Sequence, residues 1–340
     1  METKNYNALD LCKFFMMIVV ISVHTGADYG CTNAAVGRAY SVLTDLAVQS
    51  FFLISGFLLG TRLKEPFSAP ENQAVLGRYL KKTLKMYLVW MLLYTPLAII
   101  HYIRHSTPVL KAVVLYLRGL LLMGEQYNSF QLWYLLSTIY ALCLVLLLAR
   151  RGASLKQTVF VGFLLLIPSI FLYWITGRRD SFTGAMGTIA RILYLAFGSG
   201  RLLLGAFYLP MGMLLARRKL PGPVSWVLLI VGAALMAAFP GTNMKIYFQA
   251  VAAVGLVSLL AGVSLPDSAV YPALRKMSIV GYLIHMYVYT IFYWLVYGQR
   301  TDGLVPFGAT TAVTLLIAGI YTFCSRKKPK YAHEKNRNNC

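Results

Sequence analysis

The sequence predicts an all-α polytopic membrane helix bundle, and three observations carry that prediction. Of the 340 residues, 58% are hydrophobic and only 13% are charged, with a mean hydropathy of +0.64, well outside the range of a soluble globular domain. Several windows, among them 159–175, 224–239, 246–265 and 305–323, approach or exceed the roughly 18 apolar residues that cross a hydrocarbon core. The runs are continuous, whereas strands of a membrane barrel would alternate between polar and apolar residues.

About ten spans follow in order: 7–26, 41–61, 84–103, 130–149, 157–176, 200–216, 222–239, 245–264, 277–297 and 304–323. The apolar core of the first, 14–23, has the length of a signal-peptide core. Asp10 and Lys13 interrupt the region before it and no A-x-A site follows, so it is read as a retained helix. The second, "DLAVQSFFLISGFLL", carries Asp45 and Gln49 inside the membrane segment and the small pair Ser55–Gly56, which permits close helix approach. A basic stretch precedes the third, in which Arg78, Lys81, Lys82 and Lys85 stand at i, i+3, i+4 and i+7, one stripe of a helix. The fourth opens on Trp133 and Tyr134, the sixth on Arg201, and the ninth contains His285. Segments 27–40 and 177–199 read as short loops.

An even number of spans places both termini on one side, and charge selects which. With the N-terminus inside, the cytoplasmic segments collect 22 of the 32 basic residues, so the positive-inside rule puts both termini in the cytoplasm. The net charge of +21 is then mostly topogenic and calls for no nucleic-acid partner. Residues 1–324 read as one transmembrane domain in the cell membrane, in contact with lipid. The basic stretch 325–340 reads as a disordered cytoplasmic tail resting on anionic headgroups. Five scattered cysteines without C-x-x-C or ligand spacing imply neither a disulfide framework nor a metal site. No internal repeat is visible, which disfavours transporters built from matched halves.

The first span is also the most informative chemically. Lys13 and His24 are eleven residues apart, which turns an ideal helix about 20° past three full turns and raises it about 16 Å, so both side chains share one face. Asp10, three residues before Lys13, is placed for an i,i+3 ion pair with it. An ionisable group inside a span faces a bundle interior or a cavity; His24 there is either a hydrogen-bonded, inert helix-end residue or a working imidazole. Asp45 needs a partner for the same reason, and His24 or an arginine would serve.

The motif L-D-x-x-[RK]-x10-H, here Leu9-Asp10…Lys13…His24, followed by "FFLISGFLL" at 51–59, "RYLKKTLKMYLVW" at 78–90, "LWYL" at 132–135 and "MSIVGYLIHMYV" at 277–288, resembles the acyltransferase-3 family of bacterial integral-membrane O-acyltransferases. The chain departs from the family pattern at Asn5 or Asn7, where an arginine is usual, at Gln131, where a histidine often stands, and at Leu88, where proline is common. The family's membrane domain also occurs joined to a serine-racemase domain, and no such extension is expected within these residues.

The resemblance implies acyl transfer from acyl-CoA, with acetyl-CoA the expected donor, to a hydroxyl of a cell-envelope glycan. His24 would be the general base, with Lys13 and Asp45 completing the catalytic set. Lys13, Arg78, Lys81, Lys82 and Lys85 would receive the anionic donor. Ser55, Trp133, Arg201 and His285 are candidates for substrate contact. The reading from another class is a multi-pass carrier of an amino acid or a lipid-linked glycan, using Asp45, His24 and His285 as a proton relay.

Overall fold

The computed structural model describes residues 5–325, and nearly all of the 325–340 tail therefore lies outside the described residues. All regular structure among the described residues is helical: α1 Asn7–His24, α2 Ala34–Gly60, α3 Pro70–Arg104, α4 Val109–Arg118, α5 Trp133–Arg150, α6 Leu155–Gly177, α7 Gly184–Phe197, α8 Gly205–Arg217, α9 Gly222–Ala238, α10 Lys245–Gly262, α11 Val270–Val296 and α12 Leu304–Cys324. Short local signals set several of the starts. The Asn33 side chain accepts hydrogen bonds from the backbone N–H groups of Ala35 and Val36 at the head of α2, and Ser154 and Gln157 form a capping box at the head of α6.

Each expected span has a helical counterpart. Among the described residues, eight helices are long and apolar enough to cross a membrane, α7 and α8 together qualify as one bent span, and α9, at 17 residues, is shorter. Helices such as α2, at Ala34 inside the segment 27–40, and α3, at Pro70 rather than near 84, start earlier than expected, and two further segments depart from the sequence reading. Segment 177–199 holds α7, and α7 meets α8 at a 44° bend where Gly198 and Gly200 adopt φ of 59° and 73°. Left-handed backbone at two closely spaced glycines ends one helix and redirects the chain. The second difference is α4, "VLKAVVLYLR", a ten-residue helix with no buried residue; it is too short to span and is amphipathic, as interfacial helices are.

The helix α2 sits at the centre, packed on α1, α8 and α10, while α11 closes the other side of α1. The backbones of α2 and α8 come into direct contact: a Cβ added at Gly56 would collide with the carbonyl oxygen of Leu209, and one added at Gly212 with that of Leu53. Small residues at a helix crossing are the usual solution where no hydrophobic force drives helices together within lipid. Outward, large apolar side chains such as Leu92, Phe160, Ile230, Leu295 and Leu316 are exposed, the surface that acyl chains cover.

One end of the bundle gathers the start of α1 and the end of α12, since Lys13 and Ser325 line the same cavity. The first correction to the sequence reading lies here. Asp10, 1% exposed, is not paired with Lys13; its two carboxylate oxygens accept from Arg275 Nε at 2.7 Å and Nη2 at 2.5 Å. A planar guanidinium matches both oxygens at once, which a lysine ammonium cannot do. Arg275 thus ties α11 to α1 and releases Lys13 for other work.

Candidate functional site

A cavity of about 430 Å³ opens among α1, α2, α3, α5, α11 and α12, within the size range of small-molecule sites. Its walls are mainly apolar and aromatic, with Phe51, Met86, Leu135, Ile279 and Leu283 among them, and three lysines reach it: Lys13, Lys82 and Lys276. Lys13 Nζ donates to Ser55 Oγ at 3.4 Å, and Ser55 Oγ is 3.0 Å from the Tyr134 hydroxyl. Among the described residues, none of the three lysines forms an ion pair with a carboxylate.

Aromatic rings close the inner end. Tyr282, which lines the cavity, lies 5.1 Å from the Phe51 ring and 5.7 Å from the Tyr134 ring, and its hydroxyl donates to the Gln131 carbonyl oxygen at 2.9 Å. One helical turn further along α11 is His285, its ring 6.2 Å from that of Tyr282. The His24 ring follows at 5.3 Å from His285, with Phe130 stacked 6.2 Å away on it. Lys13 is therefore a wall of the cavity and His24 is not: the order in space is cavity, Tyr282, His285, His24. Sequence spacing put both side chains on one helix face without revealing the ring that intervenes.

The far end of α1 is held by the loop between α11 and α12. Arg300 donates to the His24 carbonyl oxygen at 3.3 Å, and Gly303 N–H donates to the Thr25 carbonyl oxygen at 2.9 Å. These backbone contacts hold the end of α1, and the half-buried imidazole of His24 lies beside the buried His285.

A second recess, of about 410 Å³, includes Asp45, Gln49, Trp133, Arg201, Lys245 and Gln249 in its lining. Here charges are matched. Asp45 pairs with Lys245, and the same ammonium donates to Ser41 at 3.2 Å. Gln49 Nε2 donates to Gln249 Oε1 at 3.0 Å. Arg201 pairs with Glu125 and lies over the Trp133 ring, 5.2 Å from its centroid.

The sequence-derived candidates thus divide into three groups. Lys13, Ser55 and Lys82 meet in the first cavity. His24 and His285 form the ring pair behind it. Asp45, Trp133 and Arg201 belong to the second recess, where the partner of Asp45 is Lys245 rather than His24 or an arginine. All four residues of the basic stripe, Arg78, Lys81, Lys82 and Lys85, are exposed, and of them Lys82 alone lines the cavity. Only one side of a helix can face a given cavity, and four residues over seven positions cover more than one side.

A profile described as an acyltransferase domain matches residues 6–323, nearly the whole chain. The chain belongs to the acyltransferase-3 family. It is a multi-pass membrane protein of that family. Two curated relatives, both named amino-acid racemase and both from Enterococcus faecalis, are similar in part. One is 31% identical over 180 residues, 52% of this chain and 23% of its own length. The other is 25% identical over 189 residues, 56% of this chain and 24% of its own. The chain thus spans about a quarter of the length of these relatives. No solved structure matches.

Several residues of this family member's cavity were not singled out from sequence. Lys276 reads in isolation as half of a topogenic Arg-Lys pair. Tyr282 stands three residues before His285 in "MSIVGYLIHMYV". The i−3 spacing of Tyr282 from a spanning histidine was the available signal, since those positions share a helix face.

Proposed function

We propose that this acyltransferase-family protein moves an acetyl group from acetyl-CoA to a hydroxyl of a cell-envelope glycan, with His24 as general base. The observation that supports this reading is the first cavity: an apolar slot that ends at Tyr282, with Lys13 half-buried and Lys82 and Lys276 exposed among its lining residues, none of the three paired with a carboxylate among the described residues. A half-buried ammonium without a carboxylate, as at Lys13, calls for an anion, the exposed Lys82 and Lys276 beside it attract one, and a phosphorylated thioester donor supplies anionic groups for the lysines and a slender arm for the slot. Lys13 and Lys82, with Lys276, would hold the donor, and Ser55 would contact its arm. The basic end of the bundle is taken as cytoplasmic, with both termini there and the protein in the cell membrane. The second recess, with Trp133 as a flat apolar face beside Arg201, suits a hydroxylated sugar acceptor.

In the reaction the acceptor O–H transfers its proton to a ring nitrogen of His24 while its oxygen attacks the thioester carbonyl. The new C–O bond forms, the C–S bond breaks, and the imidazolium returns the proton to the departing thiolate, so that ester and free thiol leave and His24 is regenerated. Arg300, whose guanidinium donates to the His24 carbonyl oxygen, would favour negative charge developing on the substrate carbonyl oxygen.

The test uses the purified full chain with acetyl-CoA labelled in the acetyl group and a cell-envelope extract. Wild type is expected to pass label to an acceptor, and His24→Ala to be slower by about 10²–10⁴-fold. Equal labelling by both proteins would remove His24 from the chemistry. Passage of an unlabelled solute across vesicles, with no label transferred at all, would replace the enzyme reading with a carrier.

A further inference from the structure

Behind the cavity one buried nitrogen lacks a partner. His285 is fully buried, and its Nδ1 lies 2.8 Å from the Tyr282 carbonyl oxygen and 3.2 Å from that of Gly281. A carbonyl oxygen can only accept, so Nδ1 must carry the hydrogen. The neutral ring then has its lone pair on Nε2, and that atom is buried without a hydrogen-bond partner. A buried acceptor left unsatisfied is destabilising, and an apolar residue of similar size would avoid that cost. The ring beside this one is His24, at 5.3 Å between centroids and tilted by 33°, near enough for a modest rotation of His24 to bring one of its nitrogens to the lone pair.

We infer that His285 is a positioning residue for His24, its Nε2 accepting a hydrogen bond from a ring N–H of His24 during turnover. The backbone carbonyls of α11 fix the His285 tautomer, and His285 in turn fixes that of His24. The His24 nitrogen left bare then faces the acceptor hydroxyl. When His24 takes the proton, both of its nitrogens become donors, and His285 Nε2 already stands as acceptor for one of them, so the imidazolium is stabilised without a buried counter-charge. Asp45 cannot serve in this way because it is engaged with Lys245. The proposal rests on the reading of His24 as general base.

The experiment compares His285→Leu and His285→Gln in the full-length protein, each alone and combined with His24→Ala. Leucine removes the acceptor; glutamine retains a side-chain oxygen that can accept. His285→Leu is expected to lower kcat by at least about thirtyfold with KM for acetyl-CoA changed less than about twofold. His285→Gln should recover part of that loss, and the double variant with His24→Ala should be no slower than His24→Ala alone, as for residues acting as one unit. Nitrogen-15 spectra of the histidine rings provide a readout independent of turnover: the His24 tautomer is fixed in wild type, largely kept in His285→Gln, which retains an acceptor, and mixed in His285→Leu, which does not. A His285→Leu variant with wild-type kcat, losses that multiply in the double variant, or a His24 tautomer unchanged in His285→Leu would each overturn the proposal. A fully active His24→Ala would instead overturn the general-base reading on which it stands.

Discussion

Two regions of this bundle place charge at membrane depth and treat it in opposite ways. In the recess beside α10, Asp45 is matched by Lys245 and Arg201 by Glu125, and two glutamines close on each other. In the cavity between α1 and α11, Lys13, half-buried, and Lys82 and Lys276, both exposed, line a mainly apolar wall with no carboxylate partner among the described residues, and Lys13 donates to a serine hydroxyl at 3.4 Å. Matched charges stabilise the helices that carry them, provided both partners are present. An unmatched, half-buried cation such as Lys13 does the reverse: it is retained at a cost to stability, which the proposed anionic donor would offset, whereas Lys82 and Lys276 are exposed and carry little of that cost. The contrast separates structural charge from charge held ready for a ligand.

The strongest way to break this contrast is to unmatch the paired region. Asp45→Ala leaves Lys245 partly buried without its carboxylate, and unfolding followed by thermal denaturation in detergent should show a loss of about 2–4 kcal/mol. Neutralising both partners together, as Asp45→Asn with Lys245→Gln, should recover most of it. If the single variant is as stable as wild type, the pair is not structural.

Next in size is the converse change at Lys13. Lys13→Met removes an unmatched ammonium, so stability should hold within about 0.5 kcal/mol or rise, while KM for acetyl-CoA rises at least about tenfold, equivalent to about 1.4 kcal/mol of binding. A Lys13→Met protein that unfolds early yet binds donor normally would reverse the assignment of roles.

The smallest effects sharpen the boundary of the cavity. Lys82→Gln should raise the donor KM about threefold, whereas Lys85→Gln, at an exposed position off the lining, should change it less than about twofold and only at low salt, as screened surface charge does. Equal effects from the two would mean that the whole basic stripe, rather than its cavity-facing member, receives the donor.

Much of the architecture was legible in the chain itself. Long apolar runs located the spans because each backbone polar group in lipid must be bonded within its own helix, which leaves little else for such a run to form. The break at Gly198–Gly200 and the interfacial α4 escaped because Arg191 and Lys111 interrupt their apolar patterns, and neither segment reaches spanning length alone. At the candidate site, Lys13, His24, Ser55 and His285 stood out as polar groups in apolar surroundings. Their grouping did not, since nothing in the spacing of α1 indicates that Tyr282 of α11 lies between Lys13 and the imidazoles.

Composition and periodicity by themselves determined that this protein is a helical membrane bundle with ionisable residues buried in its first two spans. Which of those residues share a compartment was decided only by the packing of distant helices. Arg275 takes Asp10 from α11, Lys245 takes Asp45 from α10, and Tyr282 divides one face of α1 into a cavity wall and a ring pair. The physical reason is that hydropathy is a property of each segment alone, whereas the partner of a buried charge is whichever group the fold brings within reach, however far away in sequence.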